Sequence, residues 1–595
     1  MDYQVTGNEY VSLPAIRETD GGVESISFLY MQLKGMLEMY GEDSLVRPYL
    51  RVNGQRCPLC PQWTRSHFWI PSFTAEAEGV RFSCTYLSPL GERGFGLRLE
   101  AENHVDHALT VRFGAEGKWE KTLHTVNESI PLTEGRGAKE SGWNSMFIFY
   151  QAPGVPLFAF APIVEDHQSF SEIDQGAKWS LRDFAYDIHL EKELPAGSKA
   201  KLDVFFGIGY EQVAAATSAK EMLRQGFDAL LTRTEGWLAQ RERHLGDPAL
   251  ETLLNTNLFF AFFYASGRTV DTEELCMMTS RSPRYYVSAA YWDRDSLLWA
   301  FPAICETDAA YARELLVSVY QRQSRNFGVH SRFIDGTVLE PGFELDELCA
   351  PVLALRRYLD KTNDETILSE ACVRSALLAY PRKLEARRHR DVSLYSTFLQ
   401  PTDDLRRYPY LTYDNVLVWR TLHILSDLLD NEDLSRQAEK VKEAIYDNCV
   451  FEHDGQRIFA WSVDLNGNWD IYDEPPGSIQ LLPFYGFCGA DDEVWRGTVS
   501  VIREPSYAQS FADCPIAEIG CPHAPHPWVL SICNSLLSGH RETAIRHLRM
   551  TRMDNGIACE SVDEFTGACT TGEAFATCAG FLAYSILTAL TGEQA

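Results

Sequence analysis

Apolar and polar residues alternate through Val80, Phe82, Cys84 and Tyr86, again through Phe95, Leu97, Leu99 and Ala101, and again through Leu109, Val111 and Phe113. A period of two turns one side of each segment toward a core, so these segments predict antiparallel strands with one buried face. Apolar runs at Met146 to Tyr150, Leu157 to Ala161 and Val204 to Ile208, bounded by Gly and Pro, extend the region and predict two packed sheets. The period changes near Gly209. Glu211 to about His244 is rich in Ala, Leu, Glu and Arg and predicts a long connecting helix. Helical spacing then recurs at Val352, Leu355 and Leu359, at Val418, Leu422, Leu425 and Leu429, at Leu434, Ala438, Val441 and Ile445, and at Leu582, Ile586 and Leu590.

Between the helical segments lie polar, aromatic and Pro/Gly-rich loops: Tyr285 to Arg294, Phe333 to Glu347, Thr397 to Tyr413, Trp461 to Gly486, Ile519 to Trp528, and Glu560 to Gly572. Such loops alternating with paired helices predict a closed ring of helical hairpins with its functional loops at one end. The expected fold class is α+β and multidomain: an antiparallel β-sandwich over 1–210, a helical linker over 211–245 and the helical ring over 246–595.

A chain of 595 residues, 45% of them hydrophobic, is long enough to bury two cores. Its 83 acidic residues against 54 Lys and Arg give a formal charge of -29, which repels a phosphate backbone or an anionic membrane surface. Nucleic acid and membrane are therefore not expected partners. The start, Met1 to Val5, has neither a basic nor an apolar leader region, and no apolar run is long enough to span a bilayer, so the expected location is cytoplasmic. The 15 Cys are odd in number and irregularly spaced, and Cys533 and Cys578 sit in helical apolar patterns. They read as reduced core residues. The Cys57 to Cys60 pair has no helix-opening pattern and reads as structural.

The loops carry the chemistry. Tyr291-Trp292-Asp293-Arg294-Asp295 precedes the apolar run Leu297 to Ile304. It suits a helix cap, in which Asp295 or Ser296 supplies the capping oxygen, and it also suits a sugar subsite. An aromatic face covers the C–H face of a pyranose, while Asp and Arg hydrogen-bond vicinal hydroxyls. Glu340 to Glu347 holds four acids ahead of the helix through Leu359; Glu347 reads as a dipole-favoured first-turn acid, and Asp346 as a substrate contact. Asp403 and Asp404 are adjacent carboxylates with Arg406 and Arg407 nearby, a setting that can split two acidities and so supply a general acid. Glu560 stands among small and apolar residues at the end of an extended stretch, where a carboxylate can be held rigidly against a water. Cys514, Cys521, His523 and His526 lie in a proline-interrupted stretch that fits no familiar zinc spacing, and the segment reads as a cleft rim with His523 or His526 on sugar.

Trp292 to Ser296 resembles the Trp-Thr-Arg-Asp-Ser signature of glucoamylases and related bacterial enzymes, and Glu560, Asp563, Thr566 and Gly567 resemble their C-terminal Glu-x-x-Asp-x-x-Thr-Gly segment. Phe343 to Asp346 looks like the start of that family's substrate-binding hairpin, and Asp403 precedes Thr412, Tyr413 and Trp419 much as its general acid precedes the next barrel helix. The resemblance is to six-hairpin glycoside hydrolases of the glucoamylase-like family 15 and the processing α-glucosidase-like family 63, and implies an (α/α)6 barrel after the sandwich. The acid is usually Glu in glucoamylases and Asp in the processing α-glucosidase and trehalase families. The activity implied is an inverting, exo-acting α-glycosidase, α-glucosidase-like, without metal or cofactor. Asp403 or Asp404 would be the acid and Glu560 the base, with carboxyls roughly 6.5 to 9.5 Å apart. Substrate would contact Trp292, Arg294, Asp295 and Asp346, with aromatic walls from Tyr291, Trp461 or Trp528 and a polar contact from His526.

A disaccharide phosphorylase can share this architecture, with phosphate in place of the base, and the Thr570-Thr571-Gly572 turn offers hydroxyls and amides to such an anion. Glu560 would oppose it. A polysaccharide lyase would need cationic neutralisation of a uronate, which the acidic loops do not provide. A non-catalytic carbohydrate-binding protein would have no use for Asp403, Asp404 and Glu560. The expected partner is a carbohydrate, and a sandwich face or barrel side offers a surface through which two copies could form a homodimer.

Overall fold

The computed structural model describes residues 2–141, 146–152, 158–164, 174–180 and 182–591. Two compact units divide the chain: Met1–Glu242 with Ser266–Leu275 and Arg281–Ala289, and Arg243–Ala265 with Cys276–Ser280 and Ala290–Ala595.

The first unit is antiparallel β-structure, with sheets of six, eight and five strands among the described residues. The three alternating segments become strands Val80–Leu87, Gly94–Asn103 and Leu109–Lys118. Their apolar residues are buried in one cluster with Phe28, Tyr86 and Trp119, as a period of two requires. The run from Leu157 begins outside the described residues and continues as strand Phe158–Val164. The segment expected as one connecting helix is two, α1 (Gln212–Gln225) and α2 (Phe227–Ala239), because Gly226 between them has φ 80° and cannot continue a right-handed helix. Helix α1 packs on the strand Lys199–Gly209.

The second unit is the (α/α)6 barrel. Its helices are α3 (Pro248–Tyr264), α4 (Phe301–Thr307), α5 (Ala309–Arg322), α6 (Leu345–Thr362), α7 (Ala371–Glu385), α8 (Thr412–Leu429), α9 (Glu432–Asn448), α10 (Glu493–Ile502), α11 (Val529–Leu537), α12 (Arg541–Met550) and α13 (Ala576–Thr591). The inner ring runs α4, α6, α8, then a stretch of short 3-10 turns at Pro475–Gly477 and Ile479–Leu481, then α11 and α13, which returns to α4. Tyr413 and Tyr485 join α8 to the short-turn stretch, ring centroids 6.1 Å apart. Inner helices α6, α8, α11 and α13 are buried over most of their length, whereas outer α9 buries one stripe, Leu434, Ala438, Val441 and Ile445. The loops noted in the sequence enter the inner helices at their N-terminal ends, which gathers their side chains at one mouth of the ring.

All fifteen cysteines are free, ten of them buried. Among the described residues no helix is long and apolar enough to cross a membrane.

Candidate active site

Before α4 the chain makes a π-helical turn, Arg294–Ala300, rather than opening directly into an α-helix. The amides of Asp293 and Arg294 at its start donate to the Glu347 carboxylate on α6, the latter at 3.0 Å, so the first-turn acid of one helix caps its neighbour. Asp293 accepts from the Tyr291 hydroxyl at 2.9 Å and pairs with Arg332 at 2.5 Å, and the Arg332 guanidinium lies over the Tyr291 ring. Tyr291, expected as a cleft wall, is fully buried in this scaffold. Burial raises the pKa of both Asp293 and Glu347 above the ordinary carboxylate range, against the pull of Arg332 on the first and Arg294 on the second.

Arg294 points into the mouth of the ring. Its Nη1 donates to Glu344 at 2.6 Å and to Asp346 at 2.9 Å, and its Nη2 donates to Asp403 at 2.5 Å. Three of the expected site residues, Arg294, Asp346 and Asp403, thus share one guanidinium. His330, on the strand Val329–Arg332, adds a 2.5 Å hydrogen bond from Nδ1 to Glu344 and lies 3.6 Å from Asp403. Trp292 meets the His330 ring edge-on, centroids 5.7 Å apart, and its buried indole N–H has no partner among the described residues. Asp295 accepts from Thr577 of α13 at 3.0 Å. Burial pushes Asp295 and Glu344 each up to about 7; Arg294 opposes the shift and the Asp403 charge adds to it. Donor atoms of His330, Glu344 and Asp403 lie within 4.8 Å of one another, a spacing a metal ion could use. The Arg294 guanidinium already donates to both carboxylates there and supplies that cluster's positive charge.

Asp403 sits at φ 68°, in a tight turn where its amide donates to Gln400 O at 2.8 Å. Glu474, fully buried, fixes the turn by accepting from Gln400, from the Thr402 amide and from the Thr402 hydroxyl, at 2.7 to 2.9 Å. The strained turn sends the two adjacent carboxylates in different directions. Asp403 faces Arg294, whereas Asp404 faces His523 at 3.5 Å, in an open cavity of about 460 Å³ lined by Gln400, Leu405, Tyr472 and Pro522.

Glu560 is 3% exposed. Its amide donates to Thr571 O and Gly572 O at 3.1 and 3.2 Å, and its Oε1 accepts from the Thr571 hydroxyl at 3.4 Å. Gly572 (φ 67°) is required here, because a Cβ would fall 2.5 Å from the Glu560 Cβ. Burial holds the pKa of the Cys578 thiol well above its ordinary value, and Cys533, Asp295 and Glu560 add to the shift. Asp563 closes its own turn by accepting from the Thr566 amide and hydroxyl. His526 pairs with Glu564 at 2.9 Å, and the Trp528 indole donates to Ala524 O. Trp461 is 1% exposed, edge-on to Tyr472, with its indole N–H unpartnered among the described residues. His523 and His526 therefore face separate carboxylates rather than one common point.

Sequence reasoning did not single out His330, Glu344, Glu474 or Arg332, nor the burial of Asp414. Asp414, on the first turn of α8, is fully buried with neither carboxyl oxygen hydrogen-bonded among the described residues. Burial, with Asp346 and Glu344 nearby, drives it far above the ordinary carboxylate range. Glu344 and Asp414 stand in runs that the sequence marks as loop-to-helix junctions; a lone His in a short strand carries no such mark.

With this geometry in place, residues 379–587 match the family model of the metal-independent α-mannosidases, glycoside hydrolase family 125. That span holds Asp403, Asp404, Asp414 and Glu560. A Streptococcus pneumoniae metal-independent α-mannosidase, solved in a non-productive complex with α-1,6-mannobiose, superposes with TM-score 0.52 and 17% identity, covering 58% of this chain and 94% of that one. A bacterial glucoamylase complexed with acarbose superposes with TM-score 0.61 and 11% identity over 100% of this chain and 95% of that one. A putative kojibiose phosphorylase from the human microbiome gives 0.60 and 10%, covering 98% and 86%. At these identities the likeness shows the fold: a β-sandwich followed by a six-hairpin barrel of the glycosidase type. Among curated protein sequences, none matches the chain significantly.

Proposed function

We propose that the chain is an inverting, exo-acting α-glycosidase whose substrate is an α-mannoside. The observation that carries this reading is the α-mannosidase family match over 379–587, which spans both halves of the candidate acid–base pair. It moves the sugar from the glucose implied by the glucoamylase resemblance to mannose. Asp403 protonates the glycosidic oxygen, and Glu560, held by Thr571 and Gly572, takes a proton from the water that attacks the anomeric carbon from the opposite face. Asp403 is preferred to Asp404 because it shares the Arg294 guanidinium with Asp346 and Glu344, whereas Asp404 faces the open cavity and His523. Trp292, Arg294, Asp295 and Asp346 hold the terminal sugar, and the cavity beside Asp404 takes the departing one. Trp461, Trp528 and His526 stiffen the loops behind it.

Phosphorolysis is the second reading, favoured by the fold shared with the phosphorylase and by the hydroxyls of Ser561, Thr570 and Thr571 clustered beside Glu560. One experiment separates the two. The chain is assayed on α-mannobioses and on nitrophenyl α-mannoside and α-glucoside, with and without phosphate, following the first-formed anomer by NMR. Hydrolysis of the α-mannoside to β-mannose without phosphate is expected, and Glu560→Gln should lower kcat by about 10²- to 10⁴-fold. Retention of configuration, or strict dependence on phosphate, overturns the reading.

A further inference from the structure

At the opposite end of the barrel from Asp346, α6 and α8 bring three arginines to one pocket: Arg356 and Arg357, some three turns along α6, and Arg420 on α8. Phe484, Tyr485 and Tyr584 add aromatic walls, apolar side chains such as Leu298 and Ile424 line the rest, and one carboxylate, Asp360, also reaches it. Three half-buried guanidiniums together are unexpected in a chain of net charge -29. Arg356 is matched, by a hydrogen bond to Asp360. Arg357 lies over the Tyr584 ring, 4.5 Å from its centroid, and has no acidic partner among the described residues. Arg420 has neither ion pair nor hydrogen bond among them. The pocket therefore carries about two uncompensated positive charges on rigid helices, against apolar and aromatic walls that strengthen their field.

We infer that this pocket is an oxyanion site for the phosphate group of a small metabolite, separate from the sugar site. The chemistry fits in three respects. Arg, with its planar fork, pairs with phosphate oxygens in a fixed geometry, and two forks from adjacent helices can grip one tetrahedral group. The cavity of about 90 Å³ is far below the roughly 300 Å³ at which ligand pockets usually begin, so it takes a phosphate and leaves the rest of a larger molecule outside. Tyr485 also reaches inward, its hydroxyl 3.2 Å from that of Tyr413, the neighbour of Asp414, so the pocket is joined through two phenols to the first turn of α8.

The test is isothermal titration of the full chain with inorganic phosphate and, separately, with hexose 6-phosphate, which distinguishes free phosphate from a phosphate monoester as the source. Saturable one-to-one binding of either is expected. It should weaken at least about tenfold in Arg420→Gln and in Arg357→Gln and persist in Glu560→Gln, which alters the sugar site alone. Arg420→Lys keeps the charge and loses the fork, and should fall between wild type and Arg420→Gln. Thermal melts establish that each variant is folded; because Arg420 has no partner to lose, its substitution is expected to leave the melt unchanged. Absence of saturable binding by both probes, or binding by Arg420→Gln equal to wild type, overturns the inference.

Discussion

Arg294 serves Glu344, Asp346 and Asp403 with two nitrogens of one fork, a task a point charge cannot do. Arg294→Gln would leave buried carboxylates without their cation, a class of change that costs about 3–5 kcal/mol. A urea titration should show that loss, together with loss of turnover. Arg294→Lys should retain part of the stability and little of the activity, because the carboxylate geometry is no longer held. The residue itself was legible in the sequence, since a Trp beside an Asp-Arg-Asp triplet at a helix start is unusual chemistry. Its partners were only partly so. An acid-rich run shows where carboxylates are, but not which one meets an arginine fifty residues away, and Glu347, which reads as a dipole-favoured acid in the first turn of its own helix, caps another. His330 and Glu474 were not legible because their roles exist only after the loops converge.

At the scale of elements, periodicity carried most of the fold. The strands with strict alternation are buried on the expected side, and each run of helical spacing lies in a helix: α6, α8, α9 and α13. What periodicity does not encode is where a helix breaks or which ring position is filled irregularly. Gly226 divides the expected connector, and two 3-10 turns replace a full inner helix between α8 and α11. The π-helical turn at Arg294–Ala300 was equally invisible, since it inserts one residue per turn without altering the apolar run. It packs closely on α13, where a Cβ on Gly580 would lie 2.7 Å from the Ala300 Cα. Gly580→Val should therefore push α13 away from the turn and cost about 1–3 kcal/mol, read as a shift of the denaturation midpoint with little change in slope.

For the whole molecule, the buried acids give stability a direction with pH. Asp295, Glu344 and Asp473 are raised by burial to about 7. Below about pH 4 each is protonated in both folded and unfolded chains and contributes no pH dependence. Between about pH 4 and 7 the unfolded chain releases these protons while the folded one keeps them, so this contribution to stability falls as pH rises, and it levels off above 7. The thermal midpoint is expected to drop from pH 5 to pH 8, with a shallower drop in Glu344→Gln and Asp295→Asn. The inner ring also bears on how the protein reaches this state. The Thr577 to Asp295 hydrogen bond spans 282 residues and Arg294 to Asp403 spans 109. Contacts so far apart in the chain form slowly, because the loop entropy is lost before the contact returns anything. In kinetic terms the mouth of the barrel is a late event: individual hairpins can collapse locally, but the candidate acid–base pair comes together only when the last helix docks beside the first.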